Sequence, residues 1–155
     1  MADKPSASKN FGYPFSIGEF KTRLKNVRTK MRAKDIDMML VTGPENIYYL
    51  TGYRTTGYYV YQALVVPQNG EPQFVVRRLE FTNVQSLSWI KKGYAVADTE
   101  SYFEATASCI EGLGGARAHI GFDDQGFFLP AGILDALRAR LRNATFVPAG
   151  GVVEA

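Results

Sequence analysis

The chain has one cysteine, Cys109, and one histidine, His119, in 155 residues. A single cysteine excludes an intrachain disulfide framework and, with no apolar leader at Met1–Pro5, reads as a cytoplasmic protein. A single histidine, with no second His or Cys at ligand spacing, excludes the common zinc arrangements. No apolar run approaches the roughly 18 residues of a membrane span, so no membrane partner is expected. Glycines are not scarce, yet none forms a nucleotide cradle. Gly112-Leu113-Gly114-Gly115 follows a helical pattern rather than a strand, and no glycine-rich stretch carries the Lys and Ser/Thr of a phosphate loop.

The net charge of +3 is a local property. Seven basic residues between Ser16 and Lys34 (Lys21, Arg23, Lys25, Arg28, Lys30, Arg32, Lys34) face Glu19 alone, and the rest of the chain is net acidic. Those charges wrap a helix rather than lining one stripe, so a solvated helix is expected and nucleic acid is not.

With 46% apolar residues the chain suffices for one well-filled domain. Ser16 and Glu19 form a capping box ahead of Phe20, Leu24, Val27 and Met31, which recur at helical spacing. Ile36–Val41 reads as a strand stopped by Thr42-Gly43-Pro44. Gln62–Pro67 and Gln73–Arg77 read as a hairpin around Asn69-Gly70. Helices are expected over Glu80–Ile90, Tyr102–Leu113 and Pro130–Arg142, with strands at Tyr94–Ala97, Ala118–Phe122 and Thr145–Val147. This alternation predicts an α/β fold: a three-layer domain with a mixed, mostly parallel β-sheet flanked by helices. The domain is expected over 13–148, with a loose tail over 1–12 and the start of an interdomain linker over 149–155.

Chemistry is sparse. His119 within Ala118–Phe122 reads as a packed or hydrogen-bonded histidine, and Cys109 as a small buried hydrophobe. Asp123-Asp124, just after a strand, reads as loop solvation and capping of the segment that follows. The segment from Asn46 to Tyr61 is different. It holds six of the nine tyrosines, broken by Gly52 and Gly57. Tyr49 and Leu50 suit a core. Tyr53, Arg54, Tyr58 and Tyr59 carry more hydroxyl and charge than a core wants, and are the candidates for a substrate wall or an interface. No catalytic residue and no metal ligand is assigned.

At this segment the chain resembles the N-terminal domain of the creatinase/prolidase/aminopeptidase P family, the pita-bread metallohydrolases of peptidase family M24. The resemblance is carried chiefly by Asn46-Ile47-Tyr48-Tyr49-Leu50-Thr51-Gly52-Tyr53. Further blocks in order are Asp37–Thr42, Ala63–Pro67, Arg78-Leu79-Glu80 and Ile120–Asp123, after the helix of Phe20, Arg23, Leu24, Arg28 and Met31.

The resemblance implies a ribonuclease H-like architecture and a non-catalytic domain that shapes an active-site entrance and supports a homodimer. It implies no cofactor in this chain, and two divalent metal ions (Mn, Co or Zn) in a C-terminal domain not contained in it. The implied parent is an Xaa-Pro dipeptidase, aminopeptidase P or creatinase-like hydrolase acting on a peptide or a small amino-acid derivative. In creatinase-like members an aromatic and an arginine of this domain reach the partner subunit's substrate. Those positions fall on Tyr58 and Val60, and the departure at Val60 speaks against creatine, with Arg54 a charge in the same loop. The competing expectation is a stand-alone interaction or small-ligand-binding module.

Overall fold

The computed structural model describes residues 12–154. The first helix, α1 (Ile17–Ala33), begins where expected, with the Ser16 hydroxyl accepting from the Glu19 N–H at 3.1 Å. Its stripe of Phe20, Leu24, Val27 and Met31 is buried. There follow β1 (Met38–Val41), α2 (Pro44–Thr51), β2 (Ala63–Pro67), β3 (Gln73–Arg77) and α3 (Arg78–Leu87). The remainder comprises β4 (Gly93–Val96), α4 (Tyr102–Gly112), β5 (His119–Phe122), α5 (Ala131–Arg140) and β6 (Thr145–Pro148).

The six strands form one sheet in the order β4-β3-β2-β1-β5-β6. The β1–β2 and β2–β3 pairs are antiparallel, whereas β3–β4, β1–β5 and β5–β6 are parallel. The sheet is therefore mixed and mostly parallel, as the hairpin among crossover helices implied.

The strand period of two sorts side chains into two cores. Met39, Val41, Leu64, Val66, Phe74 and Val76 point to the face covered by Leu24, Val27 and Met31 of α1, Ile47 and Leu50 of α2, and Val84 of α3. Met38, Leu40, Val65, Val75 and Ile120 point to the opposite face, under Ala107, Cys109 and Ile110 of α4 and Leu137 of α5. These are the three layers. Strands buried on both faces need near-continuous apolar runs, which MMLV and ALVVP supply.

Several expectations change. Helix α2 lies in the aromatic segment that carried no helix by sequence. Pro44 sits in its first turn, where its missing N–H is harmless and its fixed φ suits a helix. Gly52 closes it at φ 81°, in the left-handed region; a Cβ there would lie 3.1 Å from the Phe20 ring and 3.2 Å from the Leu87 carbonyl. Helix α3 ends at Leu87, Ser88 is extended, and Ser88 and Ile90 are buried outside the helix. Packing runs past 148: Ala149, Val152 and Val153 are buried in the first core. The tail expected over 1–12 falls, apart from Gly12, outside the described residues.

The basic helix is less solvated than its composition suggested. Arg23 lies over the rings of Phe15 and Tyr49, at 4.1 and 4.4 Å from their centroids, and donates to the Tyr49 carbonyl. Arg28 donates to the carbonyls of Pro67 and Gly70, tying α1 to the β2–β3 turn. No helix among the described residues is long and apolar enough to cross a membrane.

Candidate functional site

Strands β1 and β5 run parallel and end side by side, and the chain leaves them in different directions. In open α/β sheets such carboxyl ends border the crevices that bind ligands. A cleft of about 700 Å³ opens at this edge. One wall is the first turns of α2, with Glu45, Asn46 and Tyr48; another is the segment after α2, with Arg54, Thr55 and Tyr58. Gln125, Gly126 and Phe128 from the loop after β5, together with Glu154, complete it.

The α2 wall is held from below by Asp123, the first residue after β5. Its Oδ2 accepts from the N–H groups of Thr42 (2.9 Å) and Gly43 (3.0 Å), just before the helix begins. Gly43 has no side chain to cap the helix, and Asp123 holds the turn before it from the neighbouring strand. Burial is the largest influence on this carboxyl and raises its pKa, and the Glu154 charge adds to the rise. The two backbone N–H groups and Asn46 oppose it. Asp123 therefore ties down the turn that leads into α2, not the segment that follows it, and it is buried rather than solvated. Asp124 accepts from the Gly150 N–H at 2.7 Å.

Glu154 closes the rim. Its Oε1 accepts from Asn46 at 2.5 Å and its Oε2 from the Gly151 N–H at 2.8 Å. Burial alone would raise its pKa, but these hydrogen bonds and the charge of Lys30 hold it below the usual value.

The four tyrosine-segment candidates separate. Tyr53 is 1% exposed, its ring edge-on to Phe74 at 5.5 Å, so it is a core residue whose hydroxyl end alone reaches the cleft. That hydroxyl donates to Glu80 at 3.0 Å, and burial first, then the Glu80 charge, raises its pKa far above the ordinary phenol value. Gly52 turns the chain so that the Tyr53 ring enters the core, and the residue still contributes to the lining of the cleft. Arg54 is exposed and lines the cleft. Tyr58 and Tyr59 are 54% and 80% exposed with their rings edge to face at 6.1 Å, and of the two only Tyr58 lines the cleft. Val60 is half-buried, its N–H donating to the Gly57 carbonyl in a turn.

The remaining chemical groups lie elsewhere. His119 opens β5, at the opposite end of the strand from the cleft, and its side chain is exposed rather than packed. Cys109 is fully buried under the sheet, and desolvation pushes its thiol up to about 12. Among the described residues no group of three or more His, Cys, Asp or Glu is placed to hold a metal ion. Asp123 spends one carboxylate oxygen on backbone N–H groups, so these residues do not fit the implied metal pair. What the cleft offers is an aromatic wall, an arginine, amides and carboxylates: groups that bind and orient.

A layered α/β domain with a cleft at the carboxyl ends of its parallel strands β1 and β5 is the class these features define. The chain belongs to the Creatinase/Prolidase N-terminal domain family, whose model matches residues 23–155. It is 24% identical over 149 residues to the ectoine hydrolase of Halomonas elongata, covering 90% of this chain and 37% of that protein. Its fold matches a prolidase from Thermococcus sibiricus (TM-score 0.75, 20% identity) over 90% of this chain and 36% of the other. It also matches an Xaa-Pro aminopeptidase chain from Streptococcus pyogenes (TM-score 0.70, 21% identity), over 90% of this chain and 98% of that one. The chain thus spans a little over a third of the hydrolase and the prolidase.

Gln125, Phe128 and Glu154 were not singled out from the sequence, and Asn46 only as the start of the tyrosine-rich segment. The one signal available for them was position, since each follows or faces the end of a predicted strand.

Proposed function

We propose that the chain is the non-catalytic N-terminal domain of a two-metal hydrolase of C–N bonds, and that its cleft shapes the active-site entrance of a homodimer. The observation that carries this reading is the cleft itself: Tyr58, Arg54 and Phe128 face an opening with no nucleophile–base pair among its lining residues. Such groups select and position a ligand without activating one. Family membership supports a hydrolytic parent, and the shares of the longer relatives covered leave room for a second domain.

In this reading the hydrolytic chemistry rests wholly with the other domain. The substrate is an Xaa-Pro peptide or a small N-substituted or cyclic amino-acid derivative, the classes named by the prolidase, aminopeptidase and ectoine hydrolase relatives. Arg54 supplies a cation for a carboxylate end, and Tyr58 a flat wall with a polar tip. The exposed Tyr59 and Phe127 lie beside this wall in sequence and give the partner subunit apolar surface to cover.

The test is kinetic. In a protein joining this domain to a metal-binding domain, Tyr58→Ala should lower kcat/KM about 5- to 150-fold, the equivalent of about 1–3 kcal/mol, with metal content unchanged. The chain alone should hydrolyse no Xaa-Pro dipeptide. Hydrolysis by the chain alone, with two equivalents of metal lost on substituting one of its carboxylates, would overturn the reading.

A further inference from the structure

Between Gly52 and Ala63 the chain forms neither helix nor strand, yet it presents Arg54 and Tyr58 to the cleft. Something outside the segment has to hold it. Glu80, in the first turn of α3, has an Oε2 that accepts from the Tyr53 hydroxyl at 3.0 Å and the Thr55 hydroxyl at 2.8 Å. The Asn83 amide donates to the same oxygen at 3.0 Å, one turn along α3. Thr55 passes the tie on, because its Oγ1 accepts from the Gly57 N–H at 2.9 Å, and Val60 N–H then closes a turn on the Gly57 carbonyl. The contact is close: a Cβ on Gly57 would lie 3.2 Å from Glu80 Oε1.

We propose that Glu80 is a positioning residue, whose carboxylate latches the Tyr53–Gly57 segment to α3 and so sets where Arg54 and Tyr58 stand in the cleft. Three donors converging on one oxygen demand an acceptor-only group. An ionised carboxylate meets that demand and suits the first turn of a helix, where the backbone N–H groups favour negative charge. Burial alone would raise the Glu80 pKa, but the hydrogen bonds from Asn83, Thr55 and Tyr53 and the charge of Arg77 hold it below the usual value, so the latch stays closed at neutral pH. Glu80 does not line the cleft; it acts through Tyr53 and Thr55. The latch holds whatever the cleft binds.

Amide hydrogen exchange on this chain, read residue by residue by NMR, tests it. In Glu80→Ala the Gly57 and Val60 amides should exchange about tenfold faster or more, as expected for losing hydrogen bonds to a charged acceptor. Amides inside β1 and β5 should keep their rates. Glu80→Gln retains one acceptor oxygen and should fall between wild type and Glu80→Ala. Tyr53→Phe, which keeps the ring and removes one donor, should show a smaller rise at the same amides. If Glu80→Ala does not fold, the other two variants carry the test by the same readout. Unchanged exchange at Gly57 and Val60, or a rise equal to that of the β1 and β5 amides, would overturn the latch.

Discussion

The two halves of the tyrosine-rich segment have similar composition and opposite fates. From Pro44 to Tyr53, buried positions fall at Ile47, Leu50 and Thr51, a helical spacing, and Ile47 and Leu50 pack into the first core with Tyr53 following them. From Arg54 to Tyr59 no such spacing exists, and Tyr58 and Tyr59 stand in solvent. Tyrosine content decided neither outcome. The tyrosines drawn in have hydroxyl partners where they are most buried: Tyr53 has Glu80, and Tyr61, just beyond, pairs with Thr106 at 3.0 Å. Such a partner offsets the cost of burying a phenol hydroxyl.

This contrast can be broken by mutation. Tyr53→Ala should be the most damaging single change, lowering unfolding free energy by about 3–5 kcal/mol as for other buried aromatics. Urea denaturation would measure it, and a loss like that of an exposed residue would erase the distinction between the halves.

Next in size is the support beneath α2. Asp123→Ala leaves the Thr42 and Gly43 N–H groups without their acceptor and should cost about 1–3 kcal/mol. Its pH dependence carries a definite sign. The folded pKa of Asp123 is raised, so the folded protein keeps this proton to higher pH than the unfolded chain. The neutral carboxyl's contribution is complete below the unfolded value, about 3.9, and is lost as pH rises through the folded one. The stability of wild type minus that of Asp123→Asn should therefore grow as pH falls from 7 toward 4. A difference that shrinks on acidification would show a depressed pKa instead.

Arg23→Ala removes a side chain lying between Phe15 and Tyr49 and should cost about 1–2 kcal/mol, measurable by the same denaturation. Tyr59→Ala, at the other extreme, should change stability by less than about 0.5 kcal/mol. A larger loss would mean that the exposed half is packed in solution.

The parts of the fold that were legible in sequence rest on local signals. The Ser16 cap, the Phe20–Met31 stripe and the Asn69-Gly70 hairpin each sit within a few residues of their cause. Helix α2 was illegible because its starting proline and closing glycine also mark turns, and its eight residues span barely two helical turns. The fate of Tyr53 was illegible because its partner Glu80 lies 27 residues away. Asp123 reaches back 81 residues to Thr42, so its anchoring role belongs to the β1–β5 pairing and to no stretch of sequence. Tyr58, Tyr59 and Arg54 were legible as surface groups by the same logic in reverse: nothing nearby in sequence or space demands their burial.

Subunit exchange in a dimer tests most directly whether Tyr58 serves a site that its own subunit does not complete. Two variants of a protein joining this domain to a metal-binding domain would be mixed, one carrying Tyr58→Ala and the other lacking a metal ligand. If the wall acts across the dimer, the subunit with intact metal ligands receives Tyr58 from its partner, and hybrids recover wild-type kcat/KM at one of their two sites. Proven exchange without recovery would place Tyr58 at its own subunit's site and contradict the account.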